Sequence, residues 1–129
     1  MDAHTGLLLA YIGFTWLLIL HTLEEIANGV FGLRLGPLHL EKTRYLLAAG
    51  ALSTLNLLTL ALLAAQIPAG VYLALFVTAI PGVFQGIVHT IGYLKEGRKT
   101  QGLGVGFYSA LPLSLWGAVV FVLLLQRLP

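Results

Sequence analysis

Leu7-Leu8-Leu9-Ala10-Tyr11-Ile12-Gly13-Phe14-Thr15-Trp16-Leu17-Leu18-Ile19-Leu20-His21-Thr22-Leu23 contains no Asp, Glu, Lys or Arg, and Glu24-Glu25 follow it directly. As a helix, roughly 20 apolar residues rising about 1.5 Å each cross the hydrocarbon layer of a bilayer. Carried on to Ala27, the run has that length. His21, Glu24 and Glu25 stand where it ends. Residues three and four apart share a helix face, so these three can point into one space, with Asn28 one turn further on. Ionisable groups at the edge of an apolar span are costly and by default mark function.

Composition extends this reading to the whole chain. Its 129 residues are 58% hydrophobic and 9% charged, with a mean hydropathy of +0.92. A soluble domain carries roughly 25% charged residues. This chain cannot cover itself with a water-facing surface, so the bilayer is expected to be its solvent. There is no Cys, which excludes disulfides and thiolate metal sites. Seven Lys and Arg are too few for a nucleic-acid surface. Met1-Asp2-Ala3-His4 lacks the positive region of a signal peptide, so the first run is expected to stay as a span.

The chain reads as an all-α polytopic membrane protein, a four-helix transmembrane bundle forming one membrane domain over 1–129. The first span covers about 7–27, with Gly29 and Gly32 as stops. From Tyr45 to Leu94 there is again no Asp, Glu, Lys or Arg, which is too long for one span and right for two. Gln66-Ile67-Pro68-Ala69-Gly70 supplies the turn between spans at about 44–66 and 70–94. A kink is expected at Pro81-Gly82, and Gly82-x-x-x-Gly86 suits close helix packing. The last span is about 104–125, and Gly102-x-Gly104-x-Gly106 reads as a flexible lead into it. Trp16 and Trp116 fall in mid-span and read as packing residues.

Charge placement orients the bundle. The loop 28–44 and the loop 95–102 lie on one side and hold Arg34, Lys42, Arg44, Lys95, Arg98 and Lys99, and the other side holds only Arg127. Six of seven positive charges on one side makes that side cytoplasmic and puts both termini outside, the expected setting being a bacterial plasma membrane. By rise arithmetic His21 lies about 12 Å, His89 about 9 Å and Asn56 about 18 Å below the cytoplasmic boundary. Gln85, Tyr108 and Ser109 also fall toward that side. Several helices thus deliver polar groups to one leaflet.

His21-x-x-Glu24-Glu25 at the end of a first apolar helix, in a short chain with further apolar spans, resembles the HXXEE-motif family of small integral membrane proteins. That family is uncharacterised in function. The resemblance implies a second motif on a later helix, commonly Asn-x-x-x-His, matched here by Gln85-x-x-x-His89 with Gln for Asn. It also implies a Tyr/Pro pattern opening the fourth helix, to which Tyr108 and Pro112 are similar.

The residues themselves admit three chemistries. Zinc takes imidazole nitrogen and carboxylate oxygen, and iron or manganese accepts the same ligands. His21, Glu25 and His89 are the candidate metal ligands, and their imidazoles are expected within about 7 Å of each other. Glu24 and Glu25 each lie within roughly 60° of His21, on opposite flanks. Glu25 shares the stripe of Leu18 and Asn28, so it is the expected ligand. Glu24 is expected to lean toward a neighbouring helix or the water-filled mouth and is the candidate general base, with Tyr108 as the second candidate catalytic residue. Arg44, Asn56 and Gln85 are candidate substrate contacts, although interhelical hydrogen bonds are the competing reading for Asn56, Gln85 and Ser53. The expected activity is a metal-dependent hydrolase or oxidoreductase acting on a lipid or apolar small molecule. The alternatives are a metal-free His/Glu isomerase, a carrier of protons or small cations, and an accessory subunit in which Glu24 and Glu25 only reach the interface. So small a bundle leaves a homo-oligomer open.

Overall fold

The computed structural model describes residues 2–30, 34–35, 38–39, 41–97 and 104–128. Asp2 opens the first helix. Its Oδ1 accepts from the backbone N–H groups of His4 and Thr5 at 3.0 and 2.8 Å, and its Oδ2 accepts from the Thr5 hydroxyl at 2.8 Å. The Thr5 N–H, foremost, holds the Asp2 carboxyl below the usual carboxylate range. This N-cap starts α1 (Ala3–Ala27) one turn earlier than the leucine run alone implies. At the other end Val30 N–H donates to Glu25 O at 3.0 Å and Gly29 N–H to Ile26 O at 3.2 Å, with Gly29 at φ 67°. That pair of bonds is a Schellman stop. Gly32, also expected as a stop, lies outside the described residues.

Beyond α1, β1 (Arg34–Leu35) pairs antiparallel with β2 (Leu38–His39) where the sequence implies only a loop. The rest is helical. α2 (Lys42–Ala64) ends on the same kind of stop, Ile67 N–H to Leu62 O and Gln66 N–H to Leu63 O, but the left-handed position is taken by Gln66 at φ 56°. Gly70 lets the chain double back, since a Cβ there would stand 2.8 Å from Leu63 N.

The third span runs unbroken from Pro68 to Glu96 in three parts. α3 (Pro68–Val77) passes into a π-helical stretch, Thr78–Phe84, and then into α4 (Gln85–Glu96). Pro81-Gly82, where a kink is expected, falls within the π-helical stretch. Pro81 has no N–H to give the α pattern, and the wider i→i+5 winding accommodates it without ending the helix. α5 (Phe107–Leu125) follows Gly106. Four helices, Ala3–Ala27, Lys42–Ala64, Pro68–Glu96 and Phe107–Leu125, are long and apolar enough to cross a membrane.

α5 is the hub. α1, α3, the π-helical stretch and α4 all pack against it, whereas among the described helices α2 meets α1 and α3 alone. Tyr11, Phe14, Val77, Leu113, Val120 and Leu124 fill the core. Missing side chains set the spacing: a Cβ on Gly82 would stand 2.8 Å, and one on Gly117 3.2 Å, from Phe14 Cε2, and one on Gly86 would collide with Ser114. The exterior is equally apolar, with Leu47, Leu94 and Leu115 at least 70% exposed. Trp16 belongs to that exterior at 61% exposure, so the packing role expected of it is corrected. Trp116 does pack: it rests on Gly13 and its Nε1 donates to Ala10 O at 2.9 Å.

Candidate metal centre

The i, i+4 spacing puts His21 and Glu25 on the inward stripe of α1, where they are 2% and 7% exposed. α4 brings His89, 3% exposed, to the same point. His89 Nε2 lies 3.3 Å from Glu25 Oε1, and His21 Nε2 lies 3.8 Å from Glu25 Oε2. The two imidazole centroids are 4.9 Å apart with the rings nearly perpendicular, at 81°. One ligand atom from each residue lies within 4.8 Å of the others. Two donors about 2.1 Å from a tetrahedral ion stand about 3.4 Å apart, so the group could close on a metal with small side-chain shifts.

Glu25 and His21 are each steered from behind. The Tyr45 hydroxyl, from α2, donates to Glu25 Oε2 at 2.6 Å. Glu24 turns the other way, to α5. Its Oε2 accepts the backbone N–H of Ser109 at 2.9 Å and, in a very short contact, the Ser109 hydroxyl. Ser109 Oγ is also 3.0 Å from His21 Nδ1. A serine hydroxyl has one proton, and here the carboxylate takes it. His21 must then carry its proton on Nδ1 and donate it to Ser109. In the neutral ring this leaves a bare lone pair on Nε2, and Nε2 is buried with no hydrogen-bond partner among the described residues.

Gly106 closes the group from the side of α5. At φ +85° it holds a left-handed conformation that favours glycine. A Cβ there would stand 2.9 Å from His21 Cε1, 3.0 Å from Glu25 Cγ and 3.3 Å from His89 Cε1. The glycines before α5 are therefore not simply a flexible lead. Gly104 is pressed against Gly97 O and Tyr93 Cα, and Gly102 lies outside the described residues.

The other sequence candidates disperse. Tyr108 is 53% exposed, its ring 5.6 Å from that of Phe107 and 6.2 Å from that of Tyr93, which place it on an aromatic cluster of α4 and α5. Arg44 is exposed beside Tyr45. Asn56 is 2% exposed, its Oδ1 accepting from the Tyr11 hydroxyl at 2.8 Å and its Nδ2 donating to Thr15 Oγ1 at 3.1 Å, so it ties α2 to α1. Ser53 bonds its own helix at Ala49 O. Asn28 Nδ2 donates to Glu24 O and caps α1. Gln85 is half-buried and lines a cavity of about 400 Å³ that also reaches His21, Glu25 and Tyr45. Sequence reasoning placed Ser109 toward this side without a partner, read Gly106 only as part of a flexible lead, and gave no role to Tyr45. Tyr45 opens the second span at the depth of Glu25, and that shared depth was the available signal.

No protein-family model, curated protein or solved structure matches this chain.

Proposed function

We propose that the chain is an integral membrane enzyme that holds a divalent ion, zinc, iron or manganese, between His21, Glu25 and His89 and acts on a lipid or apolar small molecule. The observation that carries this reading is His21 Nε2, a buried lone pair with no donor among the described residues, beside two further ligand atoms. A buried acceptor left unpaired costs about 1–3 kcal/mol, and a cation would satisfy it. Ligating histidines ordinarily donate their other N–H to a fixed acceptor, and Ser109 backed by Glu24 supplies one. Bound there, the ion would polarise a substrate oxygen or acidify a water molecule.

The chain's own residues do the rest. Tyr45 orients Glu25, Gly106 keeps side-chain volume out, and the cavity beside His21 receives substrate. Glu24 acts here through Ser109 as a positioning residue. The basic loops support a site facing the cytoplasm with both termini outside, and the His21-x-x-Glu24-Glu25 motif supports membership of the HXXEE-motif family. Metal analysis of the detergent-purified protein by mass spectrometry tests the reading. One tightly held transition metal per chain is expected, and none would overturn it. A second reading has its own support: the 3.3 Å contact of His89 Nε2 with Glu25 Oε1 suits proton transfer without metal, and it would take over in that event.

A further inference from the structure

The cavity beside the ligand group is bounded by α1, α2 and the third span. α2 has no Cα within 8 Å of the π-helical stretch or of α4, although it meets α3. The two spans are therefore joined near their tight turn and stand apart toward the end that holds the His/Glu group. Phe76, Ile80 and Phe84, each at least 51% exposed, belong both to the cavity wall and to the lipid-facing exterior, so the opening is sideways.

The lining is graded in the same sense on all three helices. On α1 the order toward the loop end is Leu18, then His21 and Glu25. On α2 it is Leu52, then Ala49, then Tyr45. On the third span it is Phe76, Ile80 and Phe84, then Gln85. Polar groups stand at the headgroup end and apolar groups toward the middle of the bilayer. Water in a space of about 400 Å³ would need two to four polar partners for each molecule. The apolar depth offers none. What surrounds the opening is hydrocarbon, and the volume lies at the low end of the roughly 300–1,000 Å³ range of small-molecule sites.

We infer that this cavity takes one long hydrocarbon chain of a bilayer lipid, entering sideways between α2 and the π-helical stretch, with the lipid's polar group against His21 and Glu25. This deepens the proposed function and rests on it for the chemistry at the polar end. It makes the substrate class a long-chain lipid carrying an ester or alcohol where the chain begins.

The test uses the full chain in phosphatidylcholine nanodiscs doped with a long-chain alcohol that carries a diazirine at mid-chain. After illumination, labelled positions are mapped by peptide mass spectrometry, and metal content is read on the same samples. Leu18 and Leu52 are expected to be labelled well above the core residues Leu113 and Val120. Filling the cavity by Ala49→Trp, or by Ala48→Phe, should lower labelling at Leu18 and Leu52 about tenfold, while outward Leu115 is unchanged. Metal retention in these variants shows that the site has folded. Labelling at Leu18 no higher than at Leu113, or labelling insensitive to both substitutions, overturns the inference. Cavity labelling in a protein without metal sinks the metal reading and leaves the chain site standing. Metal without cavity labelling does the reverse.

Discussion

Tyr45 Oη, at the start of α2, lies 2.6 Å from Glu25 Oε2, near the end of α1. It ties the helix that flanks the cavity to a residue of the candidate metal group. Outer partners of this kind govern metal affinity by roughly 10–100-fold. Tyr45→Phe should therefore keep the fold and weaken zinc binding by about that factor, measured by competition with a chromophoric chelator. Unchanged affinity would detach Tyr45 from the site.

The two adjacent carboxylates should separate cleanly. Glu25→Gln is expected to abolish metal retention. Glu24→Gln is expected to keep the metal, because a Gln amide oxygen can still accept the Ser109 hydroxyl. Ser109→Ala removes the acceptor of the His21 Nδ1 proton and should weaken binding roughly 10–100-fold. Loss of metal in Glu24→Gln with retention in Glu25→Gln would reverse the assignment.

Gly106→Ala forces a Cβ against His21, Glu25 and His89 and places it on a left-handed backbone. That backbone alone costs roughly 1–2 kcal/mol. Lower thermal stability in detergent together with lost metal is expected. Gly50→Ala is the matched control: nothing lies within 4 Å of its Cβ position, and in a helix interior the change should be neutral or stabilising by roughly 0.5–1 kcal/mol.

Asn56→Leu removes the amide acceptor of the Tyr11 hydroxyl, which still meets the Thr59 side chain on α2, and the Nδ2 donor of Thr15 Oγ1. A destabilisation of about 1–3 kcal/mol with unchanged metal content is expected. Weaker binding of the lipid probe without loss of stability would instead restore Asn56 as a substrate contact.

Orientation has an independent check. A periplasmic-type reporter fused after Pro129 should be active, since six of the seven basic residues flank the opposite side. Activity of a cytoplasmic reporter at that position would invert the bundle.

The spans were legible because charge is absent from two long runs, and no packing knowledge is needed to see that. His21 and Glu25 were legible from their spacing of four. Rotation of each helix about its axis was not. In a water-soluble bundle the polar face marks the outside, whereas here core and exterior are both apolar, and the sequence gives no contrast between them. That is why Trp16 was expected inside and lies out, and why Tyr108 was grouped with Glu24 although its ring lies against Phe107 and Tyr93. Tyr45 was passed over, and Ser109 was placed on the right side but given no partner, for the same reason: their depth was readable, but not which neighbour they face.

The π-helical stretch has a consequence for how His89 comes to face α1. An i→i+5 turn houses about one residue more than an α turn, and each residue advances an α-helix by about 100°. Everything after Phe84 is thus swung by about that angle relative to α3. Without the surplus residue the imidazole of His89 would be carried about a quarter-turn away from Glu25. Deleting a single residue between Thr78 and Phe84 would leave a hydropathy profile hardly different from the present one, yet it would dismantle the His/Glu group. A chain with the same spans and the same His21-x-x-Glu24-Glu25 motif, but one residue shorter there, would keep the membrane topology and lose the meeting of its two histidines.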